Sequence, residues 1–173
     1  MTGVATERRA ALDAARTAVG EGIHAFGLVE WQMTLLYAAI MKLASNRLCF
    51  LTFEGARHFE TKRRILLLVA KEKLSDGQMP KFSNLINRIG RKVEFRDKLA
   101  HWQIAEWIDL KKSLKGEAAT IKPALQPPFH SSRFKPTHLG DERPIFVGEM
   151  QTFITGCRQL VVDMRGFIAS LGA

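Results

Sequence analysis

Cysteine, acidic side chains and long apolar runs are all scarce in this chain, and each scarcity excludes a class of protein. The 173 residues include two cysteines, Cys49 and Cys157, neither in a C-x-x-C pair. A disulfide framework or a zinc knuckle therefore has no basis. Each thiol is expected on a helix face as a small hydrophobe, and a reducing cytoplasm is the simplest compartment for such a chain. No stretch approaches the roughly 20 apolar residues that cross a bilayer. The first residues carry Glu7, Arg8, Arg9 and Asp13 with no apolar segment behind them, unlike a secretory signal. No membrane partner is expected. Also missing are a glycine-rich phosphate loop, a G-x-S-x-G elbow and an H-E-x-x-H pair, so the common nucleotide, serine-hydrolase and zinc-protease signatures do not apply. There is no internal repeat or low-complexity tract, and no cofactor or metal is implied.

What remains is a composition suited to one globular domain. Hydrophobic residues at 46% and charged residues at 25% separate the chain from disordered sequences. Lys and Arg number 26 against 17 Asp and Glu, a formal charge of +9. That surplus favours an anionic partner such as nucleic acid, a nucleotide or an acidic protein. It would equally serve solubility, and composition alone does not choose.

Periodicity gives a mainly α chain. Residues 1–18 are Ala-rich and studded with Arg, and read as a frayed or accessory N-terminal segment before a bundle over residues 19–173. Helix one covers about 21–45. Ile23, Phe26, Glu30, Met33, Tyr37, Ile40 and Ala44 form one stripe, and Leu28, Leu35, Leu36, Ala39 and Leu43 a second. A helix apolar on two sides is packed on two sides, as a central helix or as half core and half subunit interface. Helix two covers about 57–74 and should stop at Ser75-Asp76-Gly77, where glycine tolerates a left-handed helix end. Helix three runs from Pro80 to about Trp102 on Phe82, Leu85, Ile86, Ile89 and Val93, and its stripe continues into Arg96. Period-two alternation over 102–110 and a shorter run at 118–125 predict a β-hairpin, with a turn at Lys111–Gly116. Pro127, Pro128, Pro136 and Pro144 mark a long loop over about 126–143. The last helix, from Val147 to Leu171, has the most regular 3,4 spacing. The expectation is a four-helix bundle with a hairpin and long loop, about 103–143, inserted between core helices three and four and dispensable to its core.

The segment Arg96-Asp97-Lys98-Leu99-Ala100-His101 carries the chemistry. Asp97 and His101 are four apart, so on a helix the carboxylate can hold one imidazole nitrogen. An oriented histidine serves as general acid or base near neutral pH. Arg96 offers a planar fork of donors suited to phosphate. Arg96 and His101, five residues apart, lie roughly 140° apart around a helix. Either the helix ends or distorts at His101, or the site is assembled from two chains.

This segment resembles the R-x(4–6)-H signature of the HEPN superfamily, with Arg96 as the arginine, Asp97 as the polar follower and His101 as the histidine. The resemblance extends over roughly residues 20–171 as an order of elements, and its specific part is six residues. It implies a four- or five-helix bundle with the motif near the end of the third core helix. It further implies a metal-independent endoribonuclease, of the kind found in toxin–antitoxin and phage-defence systems, whose paired motifs face each other at a homodimer interface. RNA and an antitoxin protein are the implied partners. The family also contains non-catalytic modules that bind nucleotide, RNA or a partner protein, and fold alone does not choose.

Weaker candidates surround the motif. Glu30 interrupts the apolar stripe of helix one, where it could orient Arg96 or pair with Lys62, Arg63 or Arg64. Lys62, Arg63 and Lys98 are candidate phosphate contacts. Trp102 and Trp107 could stack on bases or pack the hairpin. His130, His138 and Asp141 match no metal-ligand spacing.

Overall fold

The computed structural model describes residues 2–43, 47, 50–108, 121–127 and 143–172. Cys49, the turn at 111–116, and His130, His138 and Asp141 lie outside the described residues.

The described chain is mainly helical with one two-stranded antiparallel sheet. Helix α1 spans Thr2–Met41 without a break. Phe26, Met33, Tyr37 and Ile40 of the first expected stripe are buried, with Val29 and Leu36 beside them, whereas Ile23 is 43% exposed. The second side is mixed: Ala39 is buried, but Leu28 and Trp31 are each 41% exposed. The segment at 1–18 is helical from Thr2 and continuous with this stripe, with Ala15 and Ala18 buried. Alanine has the highest helix propensity and a small apolar surface, so a stripe of alanines folds as helix while giving little hydrophobic contrast in sequence. The helix closes with a Schellman arrangement. Lys42 sits at φ 51°, Leu43 N–H donates to the Ala38 carbonyl (3.1 Å) and Lys42 N–H to Ala39 (3.2 Å). A residue with a Cβ thus takes the position that glycine usually fills.

A π-helical turn at Phe50–Glu54 leads to α2, Phe59–Lys73, and α3, Met79–His101. Gly77 has no positive φ, contrary to the left-handed end expected there. Leu74 instead turns the chain extended (φ −89°, ψ 146°), and the Gln78 side chain accepts from the Ser75 N–H at 3.0 Å. That bond is the capping box of the following helix, Ser75-x-x-Gln78, while α2 itself ends with the Leu74 N–H on the Ala70 carbonyl at 2.9 Å.

Strands β1, Gln103–Ile108, and β2, Ile121–Gln126, pair from Gln103↔Gln126 to Ile108↔Ile121. Pro123 sits in β2 opposite Glu106, a position open to proline because a two-stranded sheet has only edge strands. Helix α4, Val147–Ser170, buries Met150, Phe153, Ile154, Cys157, Leu160, Val161, Met164 and Phe167 in the expected 3,4 spacing.

The chain divides into two units. The first comprises Met1–His24 and Glu94–Ile154. In it Phe95 stacks on Phe153 (4.7 Å between centroids), and Leu125 exchanges backbone hydrogen bonds with Ile145 at 2.9 and 3.0 Å. Ala124 and Leu125 are fully buried, so the inner half of the hairpin belongs to the core of this unit rather than being an accessory. Its outer end, with Trp107, Ile108 and Ile121, is exposed. The second unit comprises Ala25–Val93 and Thr155–Ala173. There Tyr37 stacks on Phe53 (4.9 Å), Phe26 meets Phe59 (6.0 Å), and Phe82 meets Phe167 (6.3 Å). The Cys157 thiol is pushed up to about 11 by burial, against the opposing pull of Lys92, so it stays protonated and unreactive at neutral pH.

Two glycines of α1 test this packing. A Cβ at Gly22 would lie 2.5 Å from Leu99 Cδ1, and Leu99 is itself buried; at Gly27 it would meet nothing within 4 Å. Gly22→Ala should lose about 1–3 kcal/mol to overpacking, more than the ~1 kcal/mol it gains in helix propensity. Gly27→Ala should keep that gain alone. Urea midpoints of the two variants should move in opposite directions; a raised midpoint for Gly22→Ala would show that Leu99 yields freely.

Candidate functional site

The last two turns of α3 present the motif. Arg96 and Asp97 are brought together: Nη1 of Arg96 donates to Oδ1 of Asp97 at 2.9 Å, with the side chains 29% and 50% exposed. Successive residues diverge by about 100° on a helix, and the length of the arginine side chain spans the gap. Asp97 is therefore committed to Arg96 and does not hold the imidazole. His101 is exposed and makes no hydrogen bond or ion pair among the described residues. The orienting role expected of Asp97 at four-residue spacing is not the one it has.

All residues from Arg96 to His101 are helical, and the Trp102 N–H continues the ladder onto the Lys98 carbonyl at 2.9 Å. The angle of roughly 140° between Arg96 and His101 is thus retained. One chain turns the guanidinium and the imidazole to different sides of α3.

Lys98 lies between two partners. Its Nζ is 2.9 Å from Glu94 one turn back and 5.2 Å from the centre of the Trp102 ring. Half-buried Trp102 is covered by this cation, whereas Trp107 remains 39% exposed at the outer end of the hairpin.

Three other candidates lie in the second unit. Lys62 is buried at 8% exposure and bonded to Glu54, which also accepts from the Thr34 hydroxyl. It is an internal ion pair rather than a phosphate contact. Its sequence signal is the spacing Phe59-Lys62-Leu66-Ala70, which places it on the buried face of α2. Arg63 is paired with Glu60 at 2.7 Å. Glu30 is half-buried, with its carbonyl accepting from Thr34 Oγ1 at 3.4 Å. Of the four cations considered for it, Lys62 and Arg63 bond Glu54 and Glu60, and Arg96 bonds Asp97.

One pair escaped the sequence altogether. Arg8 donates through Nε and a terminal nitrogen to both oxygens of Glu106, joining the start of α1 to β1. These hydrogen bonds, against slight desolvation, hold the Glu106 carboxyl below the usual carboxylate range. The sequence offers no pattern for it, because 98 residues separate the partners.

Among the described residues, no cluster of His, Cys, Asp or Glu could hold a metal ion, and no helix is long and apolar enough to cross a membrane. No protein-family model, no curated protein and no solved structure matches this chain.

The Glu54 pair has a pH signature. Burial pushes its carboxyl up, but the bonds from Lys62 and Thr34 and the Lys62 charge prevail and hold it below its ordinary value. Its stabilising contribution is therefore complete above an ordinary carboxyl value of about 4.3 and is lost as pH falls through the lower, folded value. Lys62→Met removes the cation and leaves burial to push the carboxyl up. Unfolding free energy measured from about pH 6 to about pH 3 should fall more steeply in the unaltered chain than in Lys62→Met. Parallel curves would remove Glu54 from the acid response.

Proposed function

We propose that this chain is a metal-independent endoribonuclease of HEPN type, a four-helix bundle that works as a homodimer in a toxin–antitoxin or phage-defence system. The observation that carries this reading is the Arg96-Asp97…His101 set at the end of α3, with an exposed imidazole that no described group engages. Its angular split supports a composite site, in which Arg96 of one chain and His101 of a second face the same phosphate. Leu28 and Trp31, exposed on α1, supply apolar surface for a partner copy.

The chemistry is internal transfer. The 2′-oxygen of the RNA attacks the adjacent phosphorus as its proton leaves; the bond from phosphorus to the 5′-oxygen breaks, and that oxygen gains a proton. The products are a 2′,3′-cyclic phosphate and a 5′-hydroxyl. His101 takes the first proton or supplies the second. Arg96 stabilises the added charge on the phosphoryl oxygens, where fixed donors contribute most. Asp97 accepts from one terminal nitrogen of Arg96, whose guanidinium carries five N–H donors in all. The net charge of +9 supports RNA as the substrate.

A second reading has its own support. Asp97 offsets the charge of Arg96 and leaves His101 without an orienting partner, as suits a module that binds RNA, nucleotide or an antitoxin protein without cleaving.

Cleavage of structured and single-stranded RNAs separates the two. His101→Ala should lower the rate at least about a hundredfold with an unchanged fold, and Arg96→Lys should not restore what Arg96→Ala loses, because an ammonium lacks the fork. Chelators should have no effect. Equal activity in wild type and His101→Ala would expose a contaminating nuclease, and an inactive wild type would leave the binding module. Sedimentation at micromolar concentration should show a dimer; a monomer would remove the composite site.

A further inference from the structure

A hollow of ≈ 460 Å³ lies in the second unit between the first turns of α2 and the middle of α3. Phe59, Glu60 and Arg63 line it from α2, and Asn87, Gly90, Arg91 and Val93 from α3. Their spacing explains the shape. Asn87, Gly90 and Arg91 stand at i, i+3 and i+4, and Phe59 and Arg63 at i and i+4, so each helix presents one face. Gly90 has no side chain to fill the space, and a Cβ there would have only the Arg63 Nε within 4 Å, at 3.9 Å.

Two arginines in this hollow are short of acceptors. Arg63 gives Nη1 to Glu60 at 2.7 Å, but its Nε is buried and has no hydrogen-bond partner among the described residues. A charged donor withdrawn from water and left without an acceptor is costly, and a missing ligand is one explanation for it. Arg91 is exposed and makes no hydrogen bond or ion pair among the described residues. Its neighbour Arg88 is answered by Asp163 at 2.7 Å. Two donor groups without acceptors, on facing helices, with an amide beside them, match the geometry of a tetrahedral oxyanion.

We propose that this hollow binds a phosphoryl group, with Arg63 Nε and the Arg91 guanidinium donating to its oxygens and the Asn87 amide donating beside them. Glu60, itself in the lining and 73% exposed, is already paired with Arg63 Nη1, which leaves the Nε edge of the fork for the ligand. Phe59 and Val93 give the apolar wall against which a sugar or base would rest. The phosphoryl group comes either from a free nucleotide or from the backbone of an RNA chain. The site uses none of Arg96, Asp97 or His101, and its test does not depend on cleavage.

The experiment follows the arginine Nε–H resonances of the ¹⁵N-labelled full chain. Inorganic phosphate, adenosine 5′-monophosphate and a 2′-O-methyl oligoribonucleotide, which lacks the hydroxyl that cleavage requires, are titrated separately. At least one of them should shift the Arg63 Nε–H signal saturably. Arg91→Ala should weaken that binding about tenfold or more. Arg63→Lys, which keeps the charge and loses the fork, should do the same. Arg165→Ala, which removes equal charge outside the hollow, should leave it unchanged. Saturation by phosphate and the mononucleotide identifies a free phosphate monoester as the ligand; saturation by the oligoribonucleotide alone identifies the RNA backbone. An unmoved Arg63 signal overturns the proposal, as does equal weakening in all three variants, which would mean attraction by net charge only. Because no probe is cleaved by 2′-hydroxyl attack, an inactive enzyme and an empty hollow remain separate results.

Discussion

A single peptide hydrogen bond, from the Trp102 N–H to the Lys98 carbonyl at 2.9 Å, fixes the end of α3. Were the ladder to fray one turn earlier, Arg96 and His101 could rotate toward one another. Because it holds, the guanidinium and the imidazole are kept apart by the helical angle. The same bond delivers the chain to β1 with Trp102 alone between helix and strand. The strand therefore begins where the helix leaves it, and the motif and the hairpin form one continuous piece of backbone.

How legible each part was in the sequence depended on hydrophobic contrast. Helix α4 was plain because large apolar residues alternate with polar ones at 3,4 spacing, and the hairpin because period two replaced that spacing after His101. The start of α1 was obscure because alanine folds well as helix but differs little from its neighbours in hydropathy. Lys62 was misread by its charge: a lysine stem can lie along an apolar face and carry its ammonium to a partner, here Glu54, from a different element. Gly77 was misread by its type, since α2 ends in an extended Leu74 and the Ser75–Gln78 capping box already belongs to the next helix. The motif was visible as six residues, but which acceptor Arg96 would choose was not. Asp97 lies within reach of both Arg96 and His101, and geometry rather than spacing selects the arginine.

The cations of α2 and α3 are not a uniform basic surface. Lys62, Arg63, Arg88, Arg96 and Lys98 each have a carboxylate partner, supplied by Glu54, Glu60, Asp163, Asp97 and Glu94. Most of these pairs are partly exposed and contribute modestly to stability. Their larger effect is on the field. A net charge read from composition is spread evenly in the imagination, whereas on these two helices part of it is compensated in place. What attracts an anion is then the set of donors that the pairing leaves over.

The bridge between Leu125 and Ile145 joins two points far apart in the chain. Two backbone hydrogen bonds, at 2.9 and 3.0 Å, clamp them beside each other. Because both bonds join main-chain groups, which every non-proline residue carries, neither end needs a particular side chain to keep this register. Position 125 is free to select its side chain for the core of the unit alone, while its backbone goes on holding the start of the last helix in place.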